Sequence, residues 1–358
     1  MLLTNRNTLQ ADQPRSAHKP QTAARRCGDQ PTNACETVTL VAALYHFHTL
    51  PDADSKRSEL AKLACSAGVK GILLLAREGI NGTIAGAPDS IARVLAHIRA
   101  WPGFADIHVK YSETTGRPYT RLKVRIKAEI VTMGQPDIDA GENRGTYVPP
   151  EAWNALISRD DVMVIDTRND YECEIGSFAG ALNPKTSTFS DFPSWAQQHL
   201  APPSAGQKAI AMYCTGGIRC EKSTAYLKSI GYEEVYHLHG GILNYLERIK
   251  EADSLWQGQC FVFDQRVSVG HGLADGPLQL CSICRNPFAS GAGAGGYARH
   301  PCPSCQETAG MERLRNAEER QKQIQLARAR GHEHLGDDAE QLAEPVNEKS
   351  REAEPSEA

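Results

Sequence analysis

Long apolar runs are the first thing missing from this 358-residue chain. Nowhere do about 18 apolar residues follow one another, which excludes a membrane-spanning helix. Residues 1–15 lack the continuous apolar stretch of a secretory signal. No G-x-G-x-x-G fingerprint stands between a predicted strand and a helix (the string at Gly291–Gly296 lies in the Gly-rich stretch between the terminal Cys pairs), and no other nucleotide or flavin motif is found, so the ordinary dinucleotide cofactors have no visible site. No internal repeat is present, which excludes solenoid and propeller architectures.

What is there points to a reduced compartment. The eleven cysteines are an odd count in a chain without an export signal, so a cytoplasmic location and thiols used for chemistry or metal are expected. The net charge of −4 conceals an asymmetry. Residues 332–358 hold nine acids against two bases and no aromatic, a net −7, so the first 331 residues carry +3. Such an acidic tail is expected to remain disordered.

The polar, aperiodic residues 1–37 read as a flexible extension. Over residues 38–130 the apolar pattern alternates strand, helix, strand, strand, helix, strand, with helices at 54–66 and 89–100. This order is that of a ferredoxin-like α+β sandwich. A Pro-containing connector near Tyr147-Val-Pro-Pro150 opens a second unit over 145–250. Its continuous apolar runs at 161–167, 209–213 and 234–238, separated by helical stretches near 191–200 and 219–230, predict an α/β fold with a parallel sheet. A linking strand over 259–269, a Cys-rich module over 275–310, a basic helix over 311–330 and the tail from 331 complete the chain.

The most informative stretch is Tyr213-Cys-Thr-Gly-Gly-Ile-Arg-Cys-Glu-Lys222. Cys214 directly follows a buried strand, and two glycines permit a tight loop whose N–H groups turn inward ahead of a helix starting near Arg219. Loop amides and the helix N-terminus both favour thiolate over thiol. The same cradle suits a terminal persulfide, and Arg219 adds a cation able to hold an anionic substrate. Cys220 either resolves an oxidised or persulfide sulfur on Cys214 or packs the helix. Cys173, among acids, reads as structural.

Residues 148–250 resemble a rhodanese domain. The likeness lies in Ile165-Asp-Thr-Arg168, Glu174-Ile-Gly-Ser-Phe-Ala-Gly-Ala181, the Cys214–Arg219 loop (Cys214, Thr215, Gly216, Gly217, Ile218, Arg219) and Gly240-Gly241. It implies a rhodanese-like parallel-sheet domain in which Cys214 carries sulfur and Asp166 and Arg168 organise the loops. Residues 38–310 as a whole resemble the rhodanese-containing tRNA uridine-34 hydroxylase family. That wider likeness rests on Ala76-Arg-Glu-Gly-Ile-Asn-Gly-Thr-Ile-Ala-Gly86, Arg121-Leu-Lys-Val-Arg-Ile-Lys-Ala-Glu-Ile-Val131, the cysteine loop and the terminal Cys pairs. It implies formation of 5-hydroxyuridine at the wobble position, with the tRNA anticodon arm as partner and molecular oxygen as co-substrate.

Charge patterning supports RNA independently. A strand over 121–127 should bury Leu122, Val124 and Ile126 and display Arg121, Lys123, Arg125 and Lys127 on one face, with Lys110 and Arg117 just upstream. An all-positive row suits a phosphate backbone better than the mixed signs of a merely solvated face.

Cys281-Ser-Ile-Cys284 and Cys302-Pro-Ser-Cys305 are two C-x₂-C pairs 17 residues apart, the spacing of a zinc-ribbon-like Cys₄ site; two disulfides or decayed ligands are the alternatives. A closed Cys₄ site leaves no open position, so its role is expected to be structural or RNA-contacting rather than catalytic. His46-Phe-His48 and His237-Leu-His239 lack the accompanying carboxylate of an oxygen-activating iron site and read as ordinary histidines. Three functions compete: a tRNA hydroxylase that displaces its uridine toward Cys214, a sulfurtransferase using the same cysteine, and a zinc-stabilised RNA-binding adaptor. In the first, Cys214 either adds to pyrimidine C6 or carries an oxidised or persulfide sulfur.

Overall fold

The computed structural model describes residues 38–115, 118–119, 121–200, 208–264, 266–289, 296–297 and 300–329. The expected extension (1–37), the acidic tail (331–358) and Arg117 lie outside the described residues.

The first unit follows the expected order: β1 (Val38–Phe47), α1 (Ala53–Ser66), β2 (Lys70–Ala76), β3 (Gly79–Gly86), α2 (Pro88–Arg99), β4 (His108–Thr115) and β5 (Leu122–Ile126). The sheet order β4-β1-β3-β2-β5 is the ferredoxin-like arrangement with β5 added in parallel beside β2. Alternation along the strands sends Ala42, Leu44, Leu73, Leu75, Ile80 and Ile84 to one face. There they meet Leu60 and Ala64 of α1 and Ile91, Val94, Leu95 and Ile98 of α2 in one core. The opposite face carries no helix of this unit. Its rungs are fixed by register: Lys110, Ala43, Thr83, Ile72 and Lys123 lie on one, and His108, Tyr45, Asn81, Leu74 and Arg125 on the next.

The second unit contains β6 (Thr146–Val148), α3 (Pro150–Ile157), β7 (Val162–Asp166), α4 (Asp170–Cys173), β8 (Gly176–Phe178), α5 (Phe192–His199), β9 (Ala209–Tyr213), α6 (Ile218–Ser229), β10 (Val235–Leu238) and α7 (Gly241–Arg248). Its sheet, β6-β10-β9-β7, is parallel throughout. Every residue of the central β9 is buried: Ala209, Ala211 and Tyr213 pack beneath α3 and α7, Ile210 and Met212 beneath α5 and α6. Burial on both faces explains why this strand reads as unbroken apolar sequence.

Two expectations need correction. Residues 259–269 are not one strand. They follow β11 (Trp256–Gly258), which pairs with β8, and form a hairpin of β12 (Cys260–Phe261) and β13 (Ser268–Val269). Its turn carries the Asp264–Arg266 ion pair and holds Val267 at φ 66°, without the glycine that marks most such turns. Nor is Ile126 buried. It is 37% exposed at the end of an edge strand, while Leu122 and Val124 are only partly covered.

The C-terminal module comprises β14 (Leu278–Leu280), β15 (Pro287–Ala289) and β16 (Gly296–Tyr297), followed by α8 (Pro303–Thr308) and α9 (Met311–Ala329). No helix among the described residues is long and apolar enough to cross a membrane.

Candidate active site

Cys214 directly follows β9, and the loop it opens turns into α6 at Gly217, whose φ of 99° only glycine adopts comfortably. Gly241, at φ 65°, supports the loop from below. A Cβ there would lie 2.5 Å from the Cys214 carbonyl oxygen, and the N–H groups of Ile242 and Leu243 donate to the Cys214 and Thr215 carbonyls at 2.9 and 3.1 Å. The Gly240-Gly241 pair therefore seats the N-terminus of α7 against the cysteine loop.

The Cys214 sulfur is fully buried and accepts the Gly217 N–H at 3.1 Å. Burial alone would raise its pKa. The Cys220 thiol donating to it, the Arg219 charge and the amides of Cys220 and Gly217 outweigh that and bring it down to about 6. Cys220 is pushed the other way, well above its ordinary value, by burial and by the Cys214 thiolate. One thiolate next to one protonated thiol leaves Cys214 the more nucleophilic sulfur of the two.

Arg219 is not a free anion receptor, contrary to the sequence expectation. Its two terminal nitrogens donate to the Glu172 carboxylate at 2.6 and 2.9 Å, and the Thr215 hydroxyl donates to the same carboxylate at 3.2 Å. Burial raises Glu172, but Arg219 pulls it below the usual carboxylate range. Sequence reading passed over Glu172. The Asn169-Asp-Tyr-Glu172 capping box that positions it is nevertheless visible in the sequence. Asp166 and Arg168 form a fully buried bidentate pair, and Arg168 also donates to the Glu172 and Gly176 carbonyls, consistent with an organising role.

The first unit completes the site. Its open sheet face and the Thr215–Arg219 loop enclose a pocket of about 410 Å³. Tyr45, Asn81, Thr83, His108 and Lys110 line one side, and Thr215, Gly216, Ile218 and Arg219 the other. Cys214 itself lies beneath this loop rather than in the wall. Tyr45 reaches across, since a side chain at Gly217 would come within 3.0 Å of its hydroxyl. It also hydrogen-bonds Glu221, to which Tyr147 donates at 2.9 Å. Lys110 is paired with Glu247 at 2.9 Å. Lys123 and Arg125 share the open face at its far edge, and Arg121 and Lys127 flank them, both exposed.

A second contact fixes the two units against each other. Lys222 of α6 has no exposed surface, and its ammonium lies 2.6 Å from Glu78 and 2.7 Å from Glu129. Glu129 also accepts the amides of Met133, Gly134 and Gln135, and Glu78 that of Ile130. Around this cluster Phe47 and Ala76 pack on Ile130, Ala140 and Ala225.

At the other end, the Sγ atoms of Cys281, Cys284, Cys302 and Cys305 lie within 4.8 Å of one another, and all four cysteines are free of disulfides. Cys281 accepts the amides of Cys302 and Ile283 at 3.2 and 3.4 Å.

The family described as UPF0176 acylphosphatase like domain matches residues 39–130, and the family described as Rhodanese-like domain matches residues 149–248. Three curated relatives are each named tRNA uridine(34) hydroxylase. The protein of Agrobacterium fabrum is 54% identical over 299 residues, covering 83% of this chain and 95% of that protein. That of Jannaschia sp. is 54% identical, covering 83% and 98%, and that of Brucella anthropi 51%, covering 83% and 97%. With both units, the cysteine loop and nearly the full length of these relatives matched, the chain belongs to the tRNA uridine(34) hydroxylase family.

Proposed function

We propose that this protein hydroxylates uridine at the wobble position of tRNA to 5-hydroxyuridine in the cytoplasm, using molecular oxygen, with Cys214 as a persulfide-type active-site cysteine and Cys220 as its resolving partner. The observation that carries the reading is the pocket shared by the cysteine loop and a sheet face edged with cations. A phosphate backbone is held by charges spread along a surface, while a base displaced from its stack needs a shielded pocket beside the reactive group. Both are found on one continuous face. The net conversion replaces C5–H by C5–OH, consumes one O₂ together with two electrons and two protons from an external two-electron reductant, and releases water. The anionic sulfur is held by the loop amides, and Arg219, neutralised by Glu172, keeps the loop in shape.

The anticodon arm is the part of tRNA that the reading places along Arg121, Lys123, Arg125, Lys127 and Lys110. The four C-terminal cysteines fit a structural zinc ion. Tetrahedral thiolate ligands at about 2.3 Å from zinc lie about 3.8 Å apart, and Cys284 and Cys302 are already 3.9 Å apart. Cys281, brought down to about 6 by donated amides despite its partial burial, is prepared to bind as thiolate. Zinc there would tie the two knuckles together and leave no position for substrate.

The test is nucleoside mass spectrometry of tRNA from cells lacking this protein, complemented with wild type or Cys214→Ala and grown with and without oxygen. 5-Hydroxyuridine should return only with wild type and only with oxygen. Its return with Cys214→Ala removes the catalytic assignment, and its return without oxygen removes O₂ as co-substrate. Sulfur transfer from thiosulfate by the purified protein, with tRNA unchanged, would instead favour a sulfurtransferase.

A further inference from the structure

The Ala76–Gly86 segment places two polar residues in the pocket that the reading above leaves without a role. Its glycines are demanded by close packing: a Cβ would stand 2.0 Å from the His46 carbonyl oxygen at Gly79 and 2.1 Å from that of Ile72 at Gly82. Glu78 holds Lys222. Ile80 and Ile84 enter the core. Asn81 and Thr83 alternate onto the opposite face and line the pocket.

Asn81 is oriented by the protein itself. Its Nδ2 donates to the carbonyl of buried Ile130 at 2.8 Å. This hydrogen bond fixes which end of the amide is which, and leaves Oδ1 as the end able to serve a ligand. A pocket whose polar wall offers a fixed acceptor selects a ligand with a donor at that point. Uracil and cytosine differ there. Uracil carries a proton on N3, whereas N3 of cytosine is an unprotonated acceptor. Rotating the Asn81 amide to suit cytosine would break the bond to Ile130 and bury two facing acceptors.

We propose that the pocket takes the pyrimidine ring of the displaced nucleotide and that Asn81 Oδ1 accepts its N3–H, making Asn81 the residue that distinguishes uridine from cytidine. The assignment rests on the tRNA reading above and adds the group that selects the base. A volume of about 410 Å³ suits one nucleoside. Phe263 also lines the pocket and is 64% exposed, so it supplies aromatic surface for a base next to the displaced one.

The test uses the full chain and anticodon stem-loop RNAs carrying uridine, cytidine or 3-methyluridine at position 34, with binding read by fluorescence anisotropy and product by mass spectrometry. 3-Methyluridine replaces the N3 donor with a methyl group, so it can neither donate to Asn81 Oδ1 nor approach it as closely. Wild type should bind the uridine RNA about tenfold more tightly than the other two, the weight of one hydrogen bond and the acceptor left facing its replacement. Asn81→Ala should bind all three alike, at the weaker level. Equal wild-type affinity for uridine and 3-methyluridine overturns the proposal, as does a tenfold preference surviving in Asn81→Ala. The 3-methyl comparison is made on the unaltered protein, so it stands even if the variant fails to fold. Absence of hydroxylated product from wild type and the uridine RNA overturns the hydroxylase reading itself, a failure distinct from product formation that is indifferent to the 3-methyl group.

Discussion

Lys222→Met replaces a fully buried ammonium with an uncharged side chain of similar length. Glu78 and Glu129, which lie 2.6 and 2.7 Å from that ammonium, are left as two carboxylates without their cation. Removing one partner of a buried ion pair costs about 3–5 kcal/mol, because the remaining charge is stranded. At about 2–4 °C per kcal/mol for a unit of this size, the melting temperature should fall by roughly 6–20 °C. Adding Glu78→Gln to Lys222→Met should recover part of the loss by discharging one stranded group. The pH dependence gives a second readout. In the wild type, burial raises Glu129, but Lys222 and the donated amides bring it below its ordinary value of 4.5. Its contribution is therefore present above about 4.5 and lost as pH falls through the lower folded value. Burial raises Glu78 despite its bonds to Lys222 and Ile130, so ionised Glu78 opposes folding as pH rises past 4.5. Without Lys222 both carboxylates are held above their unfolded values, and the variant should be more stable at about pH 5 than at about pH 8. Thermal unfolding followed by circular dichroism measures both effects. A fall of less than about 2 °C, or further destabilisation on adding Glu78→Gln, would refute the account of this cluster.

The Cys214 thiol, at about 6, should be alkylated by iodoacetamide with a rate that rises through pH 6 and then levels off. Cys220→Ala removes a donor to the thiolate and should move that midpoint upward, so an unchanged midpoint separates the two sulfurs. Purified protein should contain one zinc per chain by atomic absorption, and Cys284→Ser should lose it while Cys214 alkylation is unaffected; metal retained in that variant excludes the Cys₄ site. Replacing Arg121, Lys123, Arg125 and Lys127 together by Gln should reduce the salt dependence of tRNA binding by about 3 units of log–log slope while leaving thiosulfate sulfur transfer intact, if the protein has any. An unaltered slope would place the phosphate contacts elsewhere.

The elements most legible in the sequence were those governed by local pattern. β9 and the Cys214 loop could be read because a buried parallel strand, a glycine turn and a helix start each leave a short-range signature. Partnerships across the chain could not. Glu172 meets Arg219 from 47 residues away, and Glu78 meets Lys222 from 144 away. Nothing in either neighbourhood announces its partner, so Arg219 read as a free cation and Lys222 received no role. The hairpin at 260–269 was hidden because Asp264 and Arg266 close its turn through their side chains rather than through glycine or proline. The basic row was legible as alternation, but the exposure of Ile126 depends on β5 being an edge strand, which only the sheet order reveals.

The burial of α6 bears on how this molecule can be taken apart. From Arg219 to Leu227 every residue of the helix is covered, and part of that cover comes from Phe47, Ala76, Glu78 and Glu129 rather than from its own sheet. Excising residues 148–250 as an independent sulfur-carrying module would uncover Ala225 and Ile218 and return Lys222 to water without its carboxylates. The helix whose first turn holds the reactive thiolate in place would lose support along one side. Sequence boundaries divide the chain into two families, but the cysteine loop should be less stable in the excised module than in the undivided protein, which should melt through both units in one transition.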